Sequence, residues 1–128
     1  MSKKFSLSER FASFRFAWKG IRSLLVEEHN ARIHLIATIA VMIAGFVAGL
    51  DADEWRWVML AILLVWLTEA INTAIERLGD AITKDHHPQI GLAKDISAAA
   101  VLISSLFSVL IGISIFAPYL IAGGILQQ

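Results

Sequence analysis

Three apolar runs, each close to the ~20 residues a helix needs to cross a bilayer, limit what this chain can fold into. Residues 35–50 form the first, extended by Ile33 and His34. The second starts at Trp55 and continues through Trp57 and Trp66 to Ile75, broken by Arg56, Glu69 and Asn72. The third carries no charge from Ile96 onward. At 57% hydrophobic residues over a length of 128, with a mean hydropathy of +0.68, the chain is too apolar for an ordinary soluble domain. The pattern predicts an all-α integral membrane protein with one domain, 1–128, and transmembrane helices at about 31–50, 55–80 and 95–120.

Charge sets the orientation. Basic and acidic residues balance at 11 each, so no net charge draws the chain to nucleic acid. The basic residues are nevertheless polarised: Lys3, Lys4, Arg10, Arg15, Lys19, Arg22 and Arg32 all precede the first long run. Arg77, Lys84 and Lys94 lie between the second and third runs, against Arg56 alone between the first and second. The positive-inside rule then puts the N-terminus and the 77–95 segment in the cytoplasm, with Trp55 and Trp57 in the outer interfacial belt. The absence of cysteine excludes disulfides, thiolate metal sites and cysteine nucleophiles. The basic start leads into an amphipathic stretch rather than a short apolar core, unlike a cleavable signal peptide.

That stretch, 5–28, repeats Leu7, Phe11, Phe14, Trp18, Ile21 and Leu25 at spacings of four and three, with Arg15, Lys19 and Arg22 off the stripe. Ser6 and Glu9 match a capping box at its start. The expectation is an amphipathic helix on the inner membrane surface, the alternative being a cytoplasmic helix packed on the bundle. Gly45 and Gly49 form a GxxxG, and Ser104, Ser108 and Gly112 repeat every four positions. Small-residue faces of this kind let helices approach closely.

The second run carries the chemistry. At ~100° per residue, Glu69, Asn72, Thr73, Glu76 and Asp80 share a sector of about 100° and form one polar stripe. Counting ~1.5 Å per residue from Arg56, Glu69 lies ~20 Å and Glu76 ~30 Å down a hydrocarbon core ~30 Å thick. Asp80 then lies in water. Ionisable groups at such depth turn inward to a partner, a cavity or a reaction. At the cytoplasmic end the chain adds Glu27, Glu28, Lys94 and Asp95. A helix start at Asp95 would make that residue an N-cap and set Lys94 beside a free helix N-terminus, a plausible phosphate site. Carboxylates at 28 and 76 have the oxygen chemistry to hold Mg²⁺ beside phosphates.

Plainer readings compete. Glu69 and Asn72 can serve only as interhelical hydrogen-bonding groups, and Glu76 and Asp80 as solvated residues at a helix end. His86-His87-Pro88 reads as a turn in which Pro88 ends any helix. The stripe also suits a non-catalytic assembly subunit or a small channel. Taken alone it marks a functional membrane site and no particular reaction.

Four segments, Phe16-Ala-Trp-Lys-Gly20, Glu28-x-Asn30, Glu69-Ala-Ile-Asn72-Thr-Ala-Ile-Glu76 and Ala93-Lys94-Asp95-x-x-Ala-Ala-Ala-Val101, resemble the prokaryotic diacylglycerol kinase family, which includes undecaprenol kinases. Order and spacing agree over residues 11–120. The resemblance implies a homotrimer of three-span subunits in the bacterial inner membrane, each with an N-terminal surface helix. Its implied activity is transfer of the γ-phosphate of MgATP to the hydroxyl of a membrane lipid alcohol. Glu69 corresponds to the general base, and Glu28 and Glu76 to Mg²⁺ ligands. Asn72 corresponds to a site-lining residue and Lys94 with Asp95 to nucleotide-phosphate contacts. Asp80, and Arg15 or Arg10, correspond to positions near the nucleotide. Like the family, the chain lacks a GxxxxGK loop and protein-kinase motifs. Where enterobacterial diacylglycerol kinases carry a second glutamate in the first span, this chain has His34; the string from Glu28 to His34, with Ile71, Thr73 and 80–88, looks closer to the undecaprenol kinases.

Overall fold

The computed structural model describes the backbone of residues 7–125 and the side chains of residues 11–122. Within them the chain forms four helices: α1 (Leu7–Glu27), α2 (His29–Ala48), α3 (Ala52–Ile82) and α4 (Pro88–Ile125). The last three are each long and apolar enough to cross a membrane. Ser6, the expected cap of α1, lies outside the described residues, as do the side chains of Leu7 and Arg10.

Helix α1 stops because Glu28 takes an extended conformation (φ −99°, ψ 123°), and α2 begins at the next residue. Arg32 closes this corner from the α2 side: its Nη2 donates to the Val26 carbonyl at 2.6 Å, satisfying one of the acceptors that a helix C-terminus leaves free. Of the α1 stripe, Phe11, Phe14, Trp18 and Ile21 are exposed while Leu24 is buried.

At the other end of α2 the two glycines of the GxxxG have separate tasks. Gly49 ends the helix at φ 73° with its N–H on the carbonyls of Gly45 and Phe46, a left-handed residue for which glycine has no steric penalty. A Cβ on Gly45 would stand 2.7 Å from the Trp55 ring. The motif therefore seats a tryptophan of α3 against α2 at Gly45 and turns the chain at Gly49. Trp55 accordingly points inward, tilted on Phe46 with ring centroids 4.9 Å apart, and only Trp57 keeps the exposed position expected of both.

A capping box starts α3: Asp51 Oδ1 accepts from the N–H groups of Asp53 (2.8 Å) and Glu54 (2.9 Å), and Glu54 Oε2 accepts from Asp51 N at 2.9 Å. Tyr119 Oη donates to the same Glu54 oxygen at 2.6 Å, pinning α4 to this end. Leu50, Val58 and Ile115 form the apolar core beneath it.

The largest departure from expectation is the start of α4. It begins at Pro88, so Lys94 and Asp95 stand in its second turn, and Asp95 is not its N-cap. Proline suits a first helical turn, where its missing N–H has no intrahelical acceptor to lose; Pro88 opens the helix it was expected to end. The α3–α4 connection shrinks to residues 83–87, where Thr83 Oγ1 accepts from Asp85 N at 3.0 Å.

This short hairpin makes α3–α4 the dominant packing in the chain. Ser104 and Ser108 turn toward α3: Thr68 Oγ1 and Ser104 Oγ are 2.7 Å apart, and Ser108 Oγ donates to the Ala61 carbonyl at 3.1 Å. Nearer the hairpin, a Cβ on Gly79 would lie 2.9 Å from both Ile90 Cγ2 and Lys94 Cε. Gly79→Val is therefore expected to push α4 away, destabilising by about 1–3 kcal/mol, the usual range for overpacking. A lower melting temperature in detergent would check it; an unchanged one would show that the hairpin can open freely.

Candidate active site

The interior of the bundle is apolar toward the Tyr119 end and polar toward the hairpin end. Among the described residues the buried polar ones are Glu69, Asn72 and Thr73 on α3 and Ser97 and Ser104 on α4. The polar stripe runs as its spacing predicted, with Glu69 2% exposed, Asn72 6% and Thr73 7%, Glu76 half-buried and Asp80 exposed.

Asn72 organises the α3–α4 face. Its Oδ1 accepts from Ser97 Oγ at 2.7 Å and its Nδ2 donates to Glu76 Oε1 at 3.1 Å. Ser97 Oγ also lies 2.8 Å from the carbonyl of Lys94, so one serine ties the lysine turn to the carboxylate stripe. These polar side chains satisfy one another between packed helices, and no aqueous path is needed to explain them. The channel reading loses its basis.

Glu69 is different. Its Oε2 is buried with no hydrogen-bond partner among the described residues, and its neighbour is His34 of α2, with Nε2 3.7 Å away. Glu28 and Glu76 lie close enough for their charges to act on it. An unpartnered buried carboxylate oxygen is costly, and the arrangement leaves it free to accept a proton.

Toward the hairpin the charges pair. Lys94 Nζ is 2.5 Å from Asp80 Oδ1. Arg77 reaches the α1–α2 corner, donating from Nη2 (2.6 Å) and Nε (3.2 Å) to Glu28 Oε1 and from Nη1 to Ser23 Oγ (2.7 Å), with Glu27 Oε2 3.1 Å away. Exposed ion pairs stabilise little; the geometric effect is that Arg77 holds Glu28 beside α3.

The structure thus brings Glu28, Glu69, Asn72, Glu76, Asp80 and Lys94 to one end of the bundle. Asp95 is exposed on α4. Arg15 is exposed on α1 with its guanidinium 5.6 Å from the Phe16 ring centre, and it makes no contact with the carboxylates. Three participants were not anticipated: Arg77, counted only as a charge between the second and third runs; Ser97; and His34, read only as a branch-specific residue. The spacing of Ser97 three residues beyond Lys94 on one helix face was the available signal.

An apolar cleft of about 670 Å³ opens between α2, α3 and α4. His34 and Thr38 line it at the polar end, Ala61 and Ser108 midway, and Phe116 and Leu120 at the far end. It is of a size that takes small-molecule ligands, with a lining suited to a hydrocarbon chain.

Among the described residues no group of three or more His, Asp or Glu could hold a metal ion alone. The Oε1 atoms of Glu28 and Glu76 are engaged by Arg77 and Asn72, which leaves one carboxylate oxygen of each available. Two hard oxygen donors without a full cage fit Mg²⁺, which takes one or two carboxylates and completes its shell with water and phosphate.

Comparison with known proteins agrees with this arrangement. The family described as "Prokaryotic diacylglycerol kinase" matches residues 15–116. The undecaprenol kinase of Bacillus subtilis is 40% identical over 89% of this chain and 93% of its own length. The diacylglycerol kinase of Escherichia coli K12 is 37% identical over 74% of this chain and 78% of its own. That of Synechocystis is 32% identical over 86% of this chain, which spans 63% of that longer protein. With three membrane-crossing helices and a carboxylate cluster at one end of them, the chain belongs to the prokaryotic diacylglycerol kinase family and is a multi-pass lipid kinase of the bacterial inner membrane.

Proposed function

We propose that the chain transfers the γ-phosphate of MgATP to the hydroxyl of undecaprenol, with the reaction at the cytoplasmic face of the membrane. The observation that carries this reading is Glu69, a buried carboxylate with a free oxygen beside His34, which itself lines the inner end of the apolar cleft. A lipid alcohol with its tail in the cleft would bring its hydroxyl toward that oxygen. Such a hydroxyl is a poor nucleophile, and a base within hydrogen-bond reach helps it attack. Glu69 takes that role.

Phosphoryl transfer otherwise needs alignment and charge neutralisation. Lys94 is suited to the nucleotide phosphates, and Asp80, which pairs with it, is suited to fixing its position until nucleotide arrives. Glu28 and Glu76 would hold Mg²⁺, which when bound neutralises the phosphate oxygens. Asn72 aims Glu76 and Arg77 aims Glu28 through the bonds described above. Sidedness follows from the basic N-terminal segment and hairpin. Extensive apolar exposure on α2 and α4, including Ile36, Ile43, Val47, Leu102, Leu106 and Leu110, supports self-association as a homotrimer in addition to lipid contact.

The undecaprenol assignment draws on His34 and on the near-complete mutual coverage with the Bacillus subtilis undecaprenol kinase. Membranes containing the chain, given labelled ATP and equimolar undecaprenol and diacylglycerol, are expected to label undecaprenyl phosphate predominantly. Predominant labelling of phosphatidic acid would overturn the substrate, and labelling of neither would overturn lipid phosphorylation.

A further inference from the structure

The mechanism so far leaves one half-buried titratable group beside Glu69 unused. His34, 19% exposed at its side chain, stands 3.7 Å from Glu69 Oε2 and borders the cleft. Its turn is fixed: Thr38 Oγ1 donates to the His34 carbonyl at 2.7 Å and accepts from Trp66 Nε1 at 3.0 Å. That chain of bonds pins α2 to α3 one turn from Glu69. The separation exceeds a hydrogen bond, and Oε2 has no other partner. The imidazole Nε2 and the carboxylate Oε2 thus face each other without a bond between them. One proton placed between them would close the gap.

Glu69 needs such a partner. A carboxylate that takes a proton each cycle must lose it before the next, and at 2% exposure it has little contact with water. The other charges near Glu69 are Glu28 and Glu76, with Glu27, Glu28 and Arg77 paired at the α1–α2 corner. On α4, Ser97 and Ser104 bond to Asn72 and Thr68 on either side of it. Of these groups, His34 alone sets a basic ring nitrogen beside Oε2.

We propose that His34 is the proton acceptor behind Glu69, restoring the base after each turnover. This rests on the reading of Glu69 as the base. As the lipid O–H breaks, its proton goes to the Glu69 carboxylate. The lipid oxygen bonds to the γ-phosphorus, and the bond from that phosphorus to the bridging oxygen breaks with its electron pair leaving on ADP. The proton then passes from Glu69 to His34 Nε2, giving carboxylate and imidazolium, and the imidazolium releases it to water. His34 acts through Glu69 and is a positioning residue in this sense, without touching the phosphoryl group.

The test is the pH dependence of turnover in membranes at saturating ATP, Mg²⁺ and lipid. Because the step needs an ionised Glu69 and a proton-free Nε2 on His34, wild-type kcat is expected to fall toward acid pH. His34→Gln should lower kcat at least ~10²-fold, the lower end for a lost proton-transfer step, keep KM for ATP, and shift the acid limb to that of Glu69 alone. His34→Glu, which puts a base back at this position, should recover part of kcat and move the limb. A His34→Gln enzyme with wild-type kcat and an unchanged limb would overturn the proposal. So would one whose lower activity comes with a raised KM for ATP and the limb unmoved, the mark of a structural role. Glu69→Gln measured in parallel separates the two readings. If it is active, the base assignment falls and this inference with it; if it is inactive while His34→Gln is unaltered, the His34 role alone is lost.

Discussion

Glu69→Gln is expected to assemble normally in the membrane and to phosphorylate lipid at least ~10²-fold more slowly, the lower end of what positioned acid–base groups contribute. The substitution is nearly isosteric, so the packing around a side chain only 2% exposed is preserved. It removes a charge from a site where Oε2 has no hydrogen-bond partner, and burying an amide costs less than burying a carboxylate. Stability should therefore hold or rise while activity collapses. Kinetically the loss belongs in kcat, with KM for ATP close to wild type, because the missing interaction is made only as the hydroxyl gives up its proton. Size-exclusion chromatography and a thermal melt would establish the fold, and labelled ATP the rate. Wild-type turnover in a folded variant would place the base elsewhere.

Much of this site was legible because membrane depth and helical period act on the same residues. The hydrocarbon core makes any charge in an apolar run conspicuous, and a period of 3.6 shows that Glu69, Asn72, Thr73, Glu76 and Asp80 share a face. The burial of Glu69, Asn72 and Thr73 fits that shared face. What failed was local punctuation. Pro88 was read as a terminator although proline is at home in a first turn, and the error carried Asp95 into a capping role it does not have. Gly45 does meet a neighbouring helix, through the Trp55 ring, while Gly49 serves as a C-cap, a division that GxxxG alone does not show. Pairings distant in the chain were out of reach: Arg77 and Glu28 are 49 residues apart, and His34 meets Glu69 only once α2 and α3 pack. A motif can name the residue at a position, but the orphaned oxygen beside His34 is visible only in three dimensions.

Glu76→Gln should separate metal binding from folding. Asn72 Nδ2 donates to Glu76 Oε1 at 3.1 Å, and a glutamine carbonyl accepts that bond equally, leaving Asn72 Oδ1 on Ser97. The α3–α4 contact therefore survives, and the side chain is half-buried, so little stability is at stake. The variant lacks one of two carboxylates suited to Mg²⁺, whose affinity depends on charged oxygen ligands. Outer-shell changes at metal sites already cost 10–100-fold in affinity or activity, so removing a direct ligand should raise the Mg²⁺ concentration for half-maximal rate at least ~10-fold. Rate at fixed Mg²⁺ should fall accordingly and recover in part as Mg²⁺ is raised. The companion Asn72→Ala should show a smaller shift in the same direction, because it frees Glu76 without neutralising it. A Mg²⁺ titration of both variants and wild type decides the matter: a Glu76→Gln curve superimposed on wild type would remove Glu76 from the metal site and leave it as Asn72's structural partner.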